Sequence, residues 1–247
     1  MIQALISGFA YPLRALALLR RTPRLWRYVL VPIVVNLLVG ATLYATLLFA
    51  GLRAIDGMVV GLPAWAAAFG ALLRLLLLAG LLVGTAFVLV RFGVVLGAPW
   101  YARMSDQIEL ARRGVLPAAD DGAGAALRDL GRALAFELKK LLLVLPIGAA
   151  LLLLSFVPVA GQILATAGGI ALGATIACLD FLDYPLERRR LSFRAKLGAI
   201  RRHLPATAGF GLVALGLVSI PLINLLAIPL CVAAGTLLFC DAMHELR

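Results

Sequence analysis

Four stretches without a charged side chain dominate the sequence: Tyr28 to Leu52, Leu75 to Val90, Leu141 to Leu179 and Leu204 to Cys240. None alternates apolar and polar residues as a half-solvated strand does, and all are rich in Leu, Ala and Gly. A helix needs roughly 20 apolar residues to cross bilayer hydrocarbon, where backbone amides must be paired inside the protein. The pattern predicts an all-α integral membrane protein with almost no β structure, rather than a barrel.

The expected organisation is one membrane domain, 1–247, in six parts. Residues 1–21 form an amphipathic helix with Arg14, Arg20 and Arg21 along one side, suited to the headgroup layer. Thr22 and Pro23 stop it and restart the chain, as N-cap and first helical position, into two spanning helices within 22–90. The second, from about Trp65 to Val90, contains Arg74, which either snorkels to the interface or faces protein. Residues 91–140 form a cytoplasmic helical segment broken by the turn-rich Pro117 to Gly124, with Glu109 and Arg113 as an i,i+4 pair. Two hairpins, 141–180 and 204–241, flank a basic amphipathic segment, 181–203.

The hairpins share a design. Their uncharged runs of 39 and 37 residues are broken near the middle by Pro158-Val-Ala-Gly161-Gln162 and by Pro221-Leu-Ile-Asn224. Each arm holds roughly 16 to 18 residues, about 25 Å, against ~30 Å of hydrocarbon. Either each block is a pair of full spans, or it is a hairpin of half-helices that leaves by the face it entered. In the second geometry the amides freed after Gly161 and around Asn224 face protein or water, and half-helix N-termini favour anions. The run ending at Asp180 also echoes the run ending at Asp241, a weak internal repeat of the kind found in repeat-built carriers.

Composition agrees: 63% of the 247 residues are hydrophobic and 14% charged, with a mean hydropathy of +1.04. The net charge of +11 sits in short loops and not on a soluble, aromatic-interleaved face, which argues against a nucleic-acid partner. It reads as topology and as contact with anionic lipids. Arg14 to Arg27 holds five basic residues, Arg103 to Lys140 seven and Arg188 to Arg202 seven more. By the positive-inside rule all three clusters face the cytoplasm, and both termini with them. Met1 to Leu13 lacks a basic leader region and cleavage pattern, so it is read as part of the mature protein. Cys178, Cys231 and Cys240 lie in or beside apolar runs, and neither they nor His203 and His244 have metal-ligand spacing. No nucleophile, Walker or dinucleotide motif stands in the sequence, so no enzyme activity and no cofactor or metal is expected.

Arg24 and Arg27 stand three apart in what should be the first turn of a spanning helix. A helix N-terminus carries about half a positive charge, so two arginines there repel it unless an anion intervenes. Either a lipid phosphate or a substrate oxyanion satisfies them, since guanidinium forks match tetrahedral oxyanions. Farther along, Asp180 to Arg190 reads as a clamp where the chain leaves the apolar block: Pro185 ends the helix, and the acids need neighbouring bases.

A series of motifs resembles the CysZ sulfate permeases, the bacterial arm of the etoposide-induced membrane-protein family. They run in order: Pro23 to Asn36; Ala98-Pro99 leading to Asp106-Gln107-Ile108-Glu109; Glu137 to Lys140 before Leu145-Pro146; Phe156 to Gln162; Asp183-Tyr184-Pro185; and Ile220 to Leu225. The resemblance covers essentially the whole chain. It implies two long spanning helices, two hairpins of partially penetrating helices, interfacial amphipathic helices and a homo-oligomer in the bacterial inner membrane. It also implies sulfate transport for sulfur assimilation and cysteine biosynthesis. The alternative is a non-transporting scaffold or interaction component of the same family. In that family a Gly-Leu-Arg-Arg type motif binds sulfate; the corresponding residues here are Arg24-Leu25-Trp26-Arg27, so Leu25 and Arg27 match. Arg24 replaces the glycine and Trp26 the first arginine. Asp106, Glu109 and Arg112 or Arg113 resemble a polar network near the family's pore, to which the hairpin tips add Gly161, Gln162 and Asn224.

Overall fold

The computed structural model describes the backbone of residues 2–60, 63, 67–117, 125–220, 223–243 and 245, and their side chains except at 67, 89–95, 125–127 and 130. Trp65, most of the expected linker after Pro117, Pro221 and Leu222 of the second break, and His244 lie outside the described residues. The elements are α1 (Ile2–Arg21), a 3-10 turn (Pro23–Leu25), α2 (Trp26–Val59), α3 (Ala67–Arg113) and α4 (Ala125–Ser155). They continue with α5 (Ala160–Arg188), α6 (Phe193–Arg202), α7 (Ala206–Val218) and α8 (Ile223–Ala242). No strand occurs among the described residues, as the apolar pattern requires. Among the described residues six helical segments are long and apolar enough to cross a membrane; α7, with 13 residues, is not.

Helix ends follow local chemistry. Arg20 and Arg21 occupy the last turn of α1, where the helix dipole is negative. The restart at Thr22 and Pro23 takes 3-10 form, with the Leu25 amide donating to the Thr22 carbonyl at 3.0 Å. Several helices run past the limits expected from charge. α3 continues unbroken beyond Val90 to Arg113, and the arms of the first hairpin have 31 and 29 residues because they absorb the charged stretches on either side. Charge marks the edge of hydrocarbon but does not break a helix, since Arg, Lys and Glu are good helix formers. Nor does Pro185 end α5, which goes on to Arg188. Arg190, at φ 52°, then closes it, with the amides of Leu191 and Arg190 returning to the carbonyls of Leu186 and Glu187. This is a Schellman ending with arginine in the place glycine usually takes.

The chain forms two compact units, Trp26–Trp100 and Met1–Leu25 with Tyr101–Arg247. In the first, α2 runs antiparallel to the early part of α3: Gly51 faces Leu77 and Gly70 faces Val59. Arg74 is exposed and donates to Asp56 of α2 at 2.8 Å, a surface ion pair.

In the other unit α8 is the centre. Ala227 to Pro229 and Cys231 to Cys240 are all buried, which fits a helix apolar on every side. α1, α5 and α7 pack around it, and the late part of α3 adds buried Tyr101, Met104, Ser105 and Ile108. The Ser105 and Thr236 hydroxyls share a hydrogen bond at 2.9 Å. Glycines set the closest approaches. A methyl group on Gly8 of α1 would lie 2.1 Å from the Ala206 carbonyl oxygen, and one on Gly209 of α7 2.3 Å from that of Leu5. Pro185 lacks the amide that would bond the Phe181 carbonyl, and Gly235 of α8 passes there so closely that a Cβ would stand 2.6 Å from that oxygen. In lipid, where apolar surface gives helices little reason to associate, such close packing holds them together.

Gly8→Leu and Gly209→Leu should each destabilise the α1–α7 crossing by about 1–3 kcal/mol or more, seen as a lower Tm in detergent. Gly57→Ala, on an open face of α2 with nothing within 4 Å, should leave Tm unchanged or raise it.

Candidate anion site and the charged junction

Leu25 is buried, while Arg24 and Arg27 are exposed. The turn that places Arg24 follows from Pro23, whose fixed φ starts a helix and whose missing amide costs nothing there. Arg27 donates to its neighbour Tyr28 at 2.5 Å, with its guanidinium 4.6 Å from the centre of that ring. Neither Arg24 nor Arg27 has a carboxylate partner among the described residues. Leu25 ends one compact unit and Trp26 begins the next. Chemically, these are two planar cations at helix starts with their charge uncompensated.

At the junction of α3 and α5 charge is matched closely. Glu109 is fully buried on α3 and accepts from Arg188 and Arg189 at the end of α5, each at 2.5 Å. Asp106, one turn earlier, also pairs with Arg188. Burial raises the Asp106 pKa above its ordinary value, and the Arg188 guanidinium pulls it partly back. Arg113, one turn beyond Glu109 on α3, also extends to another helix. It reaches α8, donating to the carbonyls of Phe239 at 2.8 Å and Met243 at 2.9 Å, and lies over the Phe239 ring, which Arg189 also covers. The last carbonyls of a helix lack partners, so a cation that binds them caps the helix.

The other side of α5 carries the acids. Asp180, Asp183 and Glu187 share a face by their spacing. Lys140 of α4 bonds Asp180 at 2.9 Å, Arg132 of α4 approaches Glu187 at 3.0 Å, and Lys196 of α6 bridges Asp183 and Glu187 at 2.5 Å each. The clamp expected from Asp180 to Arg190 is thus two-sided, with bases toward α3 and acids toward α4 and α6.

Of the proposed polar set, Asp106 and Glu109 come together with Arg188 and Arg189, residues the sequence reading had left out of the network. Arg113 stands beside them, whereas Arg112 is exposed. Gly161 and Gln162 lie at the opposite end of α5, about 40 Å from Arg188 by helical rise. Gly161 is buried because a Cβ would meet the Leu154 carbonyl at 2.1 Å, and Gln162 is exposed. Just before them Val159 adopts φ 61°, ψ −74°, with the Ala160 amide bonded to the Pro158 carbonyl at 2.8 Å. That is a γ-turn of the strained hand, costly for a β-branched residue. Asn224 begins α8; its side-chain oxygen is enclosed and has no hydrogen-bond donor among the described residues. His203 bonds the Ala199 carbonyl at 2.8 Å as a helix-end residue. The three cysteines are buried and unpaired, and no metal-binding cluster occurs among the described residues.

Apolar helices with their charges gathered at helix ends define a multi-pass α-helical membrane protein. A family model described as "Sulfate transporter CysZ/Etoposide-induced protein 2.4" matches residues 11–229, and the chain belongs to that family. Among its relatives is a protein named "Sulfate transporter CysZ" from Pseudomonas aeruginosa (strain LESB58), 30% identical over 232 residues, 94% of each chain. A protein of the same name from Vibrio cholerae serotype O1 (strain ATCC 39541 / Classical Ogawa 395 / O395) is 28% identical over 93% of this chain and 91% of its own. Another, from Pseudomonas syringae pv. tomato (strain ATCC BAA-871 / DC3000), is 28% identical over 87% and 85% respectively.

Glu109→Ala should destabilise the protein by about 3–5 kcal/mol, because it removes the buried carboxylate that two largely buried guanidiniums share. Arg74→Ala, which breaks a surface pair, should cost under ~1 kcal/mol. Val159→Gly should raise stability by about 1 kcal/mol by relieving the γ-turn. Thermal unfolding in one detergent ranks the three.

Proposed function

We propose that this protein carries sulfate, or a similar small tetrahedral oxyanion, across the bacterial cytoplasmic membrane for sulfur assimilation. The observation that carries this reading is the uncompensated pair Arg24 and Arg27, at the positions matching the family's anion-binding motif, in a chain whose acids are otherwise mostly paired with bases. Relatives named sulfate transporters support the choice of anion.

The anion is first held by the guanidiniums of Arg24 and Arg27. It then passes by way of polar groups at the hairpin tips, Gly161, Gln162 and Asn224, while Asp106, Glu109, Arg112 and Arg113 order the inner mouth of the path. The sequence has no nucleotide-binding motif, so flux follows the sulfate gradient or that of a coupled ion, and the protein acts as a carrier and not as an enzyme. The basic clusters put both termini in the cytoplasm, and the protein works as a homo-oligomer.

Radiolabelled sulfate uptake into proteoliposomes, with and without a pH or sodium gradient, tests this reading directly. Uptake above that of protein-free vesicles is expected, and equal uptake overturns it. Loss of one charge-assisted contact is worth about 1.5–3 kcal/mol, so Arg27→Ala or Arg24→Ala should weaken sulfate binding to delipidated protein roughly 10- to 150-fold. Binding unaffected by either change would assign these arginines to lipid phosphate and favour a scaffold.

A further inference from the structure

α6 presents a surface that the transport reading does not use. It has 10 residues, is capped by the Ser192 side chain accepting from the Ala195 amide at 3.3 Å, and buries Lys196, Ala199 and Ile200 on one side. Lys196 is 1% exposed, and its charge is answered by Asp183 and Glu187, with the Phe136 ring 4.6 Å away. The buried face of this basic helix is therefore neutralised by α5.

The opposite face is not. Arg194 and Arg201 are seven residues apart, two turns on one side, directly across from Lys196 and its neighbours. Both are exposed and have no carboxylate partner among the described residues. Arg202 stands beside them, also exposed, donating to the Gly198 carbonyl at 3.4 Å and with Glu245 as its one carboxylate among the described residues, at 3.7 Å. Leu204, 53% exposed, follows immediately, so apolar and basic groups share the patch. Connectivity fixes where the patch lies. α5 and α7 are apolar helices packed side by side, Gly211 against the Ala174 carbonyl, and α6 joins them through short links at both ends. It must sit where both meet the membrane surface.

We propose that the Arg194, Arg201 and Arg202 face of α6 is a docking surface for anionic phospholipid headgroups, with Leu204 reaching toward the acyl chains. Charge complementarity selects the occupant: planar guanidiniums at headgroup depth meet phosphodiesters, and each such arginine contributes to attraction by a negatively charged leaflet. The inference rests on the membrane reading alone and not on sulfate transport.

The test uses the full chain in vesicles, with bimane on Gly198→Cys, which lies on the outward side of α6; the three native cysteines are buried and spared by the label. Quenching is compared between phosphatidylglycerol and phosphatidylcholine carrying a nitroxide at the same shallow acyl position. Phosphatidylglycerol should quench at a several-fold lower mole fraction. Each arginine removed should reduce that preference by about threefold to fivefold, so that R194Q/R201Q/R202Q abolishes it, as does 1 M salt, while R194K/R201K/R202K keeps it. Equal quenching by the two lipids, no quenching by either, or a preference untouched in the glutamine variant would overturn the proposal. Sulfate is not part of the readout, so a failure of the transport reading is separately visible.

Discussion

Glu109 has no access to water. Burying a carboxylate costs several kcal/mol unless opposite charge and hydrogen bonds meet it at once, and here Arg188 and Arg189 do so from α5. That requirement ties the end of α5 to the late part of α3. The same turns of α3 and α5 then hold α8, through Arg113 on its terminal carbonyls and Arg189 over the Phe239 ring. The central helix has no charged residue between its first turn and Asp241 with which to anchor itself, so its register depends on neighbours that reach it.

The same logic orders the opposite face of α5, where every acid is matched by a base from α4 or α6. Charge is thus concentrated at one end of the bundle and consumed there in pairs. By contrast Arg24, Arg27, Arg194 and Arg201 are exposed cations with no carboxylate partner among the described residues.

Much of this architecture was legible from residue pattern alone. The four uncharged stretches mark the apolar helices, Thr22-Pro23 marks the restart after α1, and the exit clamp at Asp180 to Arg190 is visible as acids that need bases. Helix ends were less legible, because hydropathy reports the hydrocarbon boundary while the helices of α3, α4 and α5 run on through charged residues. Pairing was hardest to read. Sequence neighbours suggested Glu109 with Arg113, and packing brings Glu109 two more partners from 79 and 80 positions away, which no local spacing shows. Arg24 and Arg27 stand out in the sequence as two arginines three apart at a helix start, and the fold leaves both exposed.

The placement of α8 has a consequence for how such a protein is made. Its neighbours α1, α5 and α7 all precede it on the ribosome, so they enter the bilayer around a gap that lipid must temporarily fill. The contact of Gly235 with the Phe181 carbonyl of α5 is shaped for backbone, not for an acyl chain, which favours expulsion of that lipid once α8 arrives. Assembly of this unit therefore runs from the outside inward, with α8 the last of these four helices to arrive.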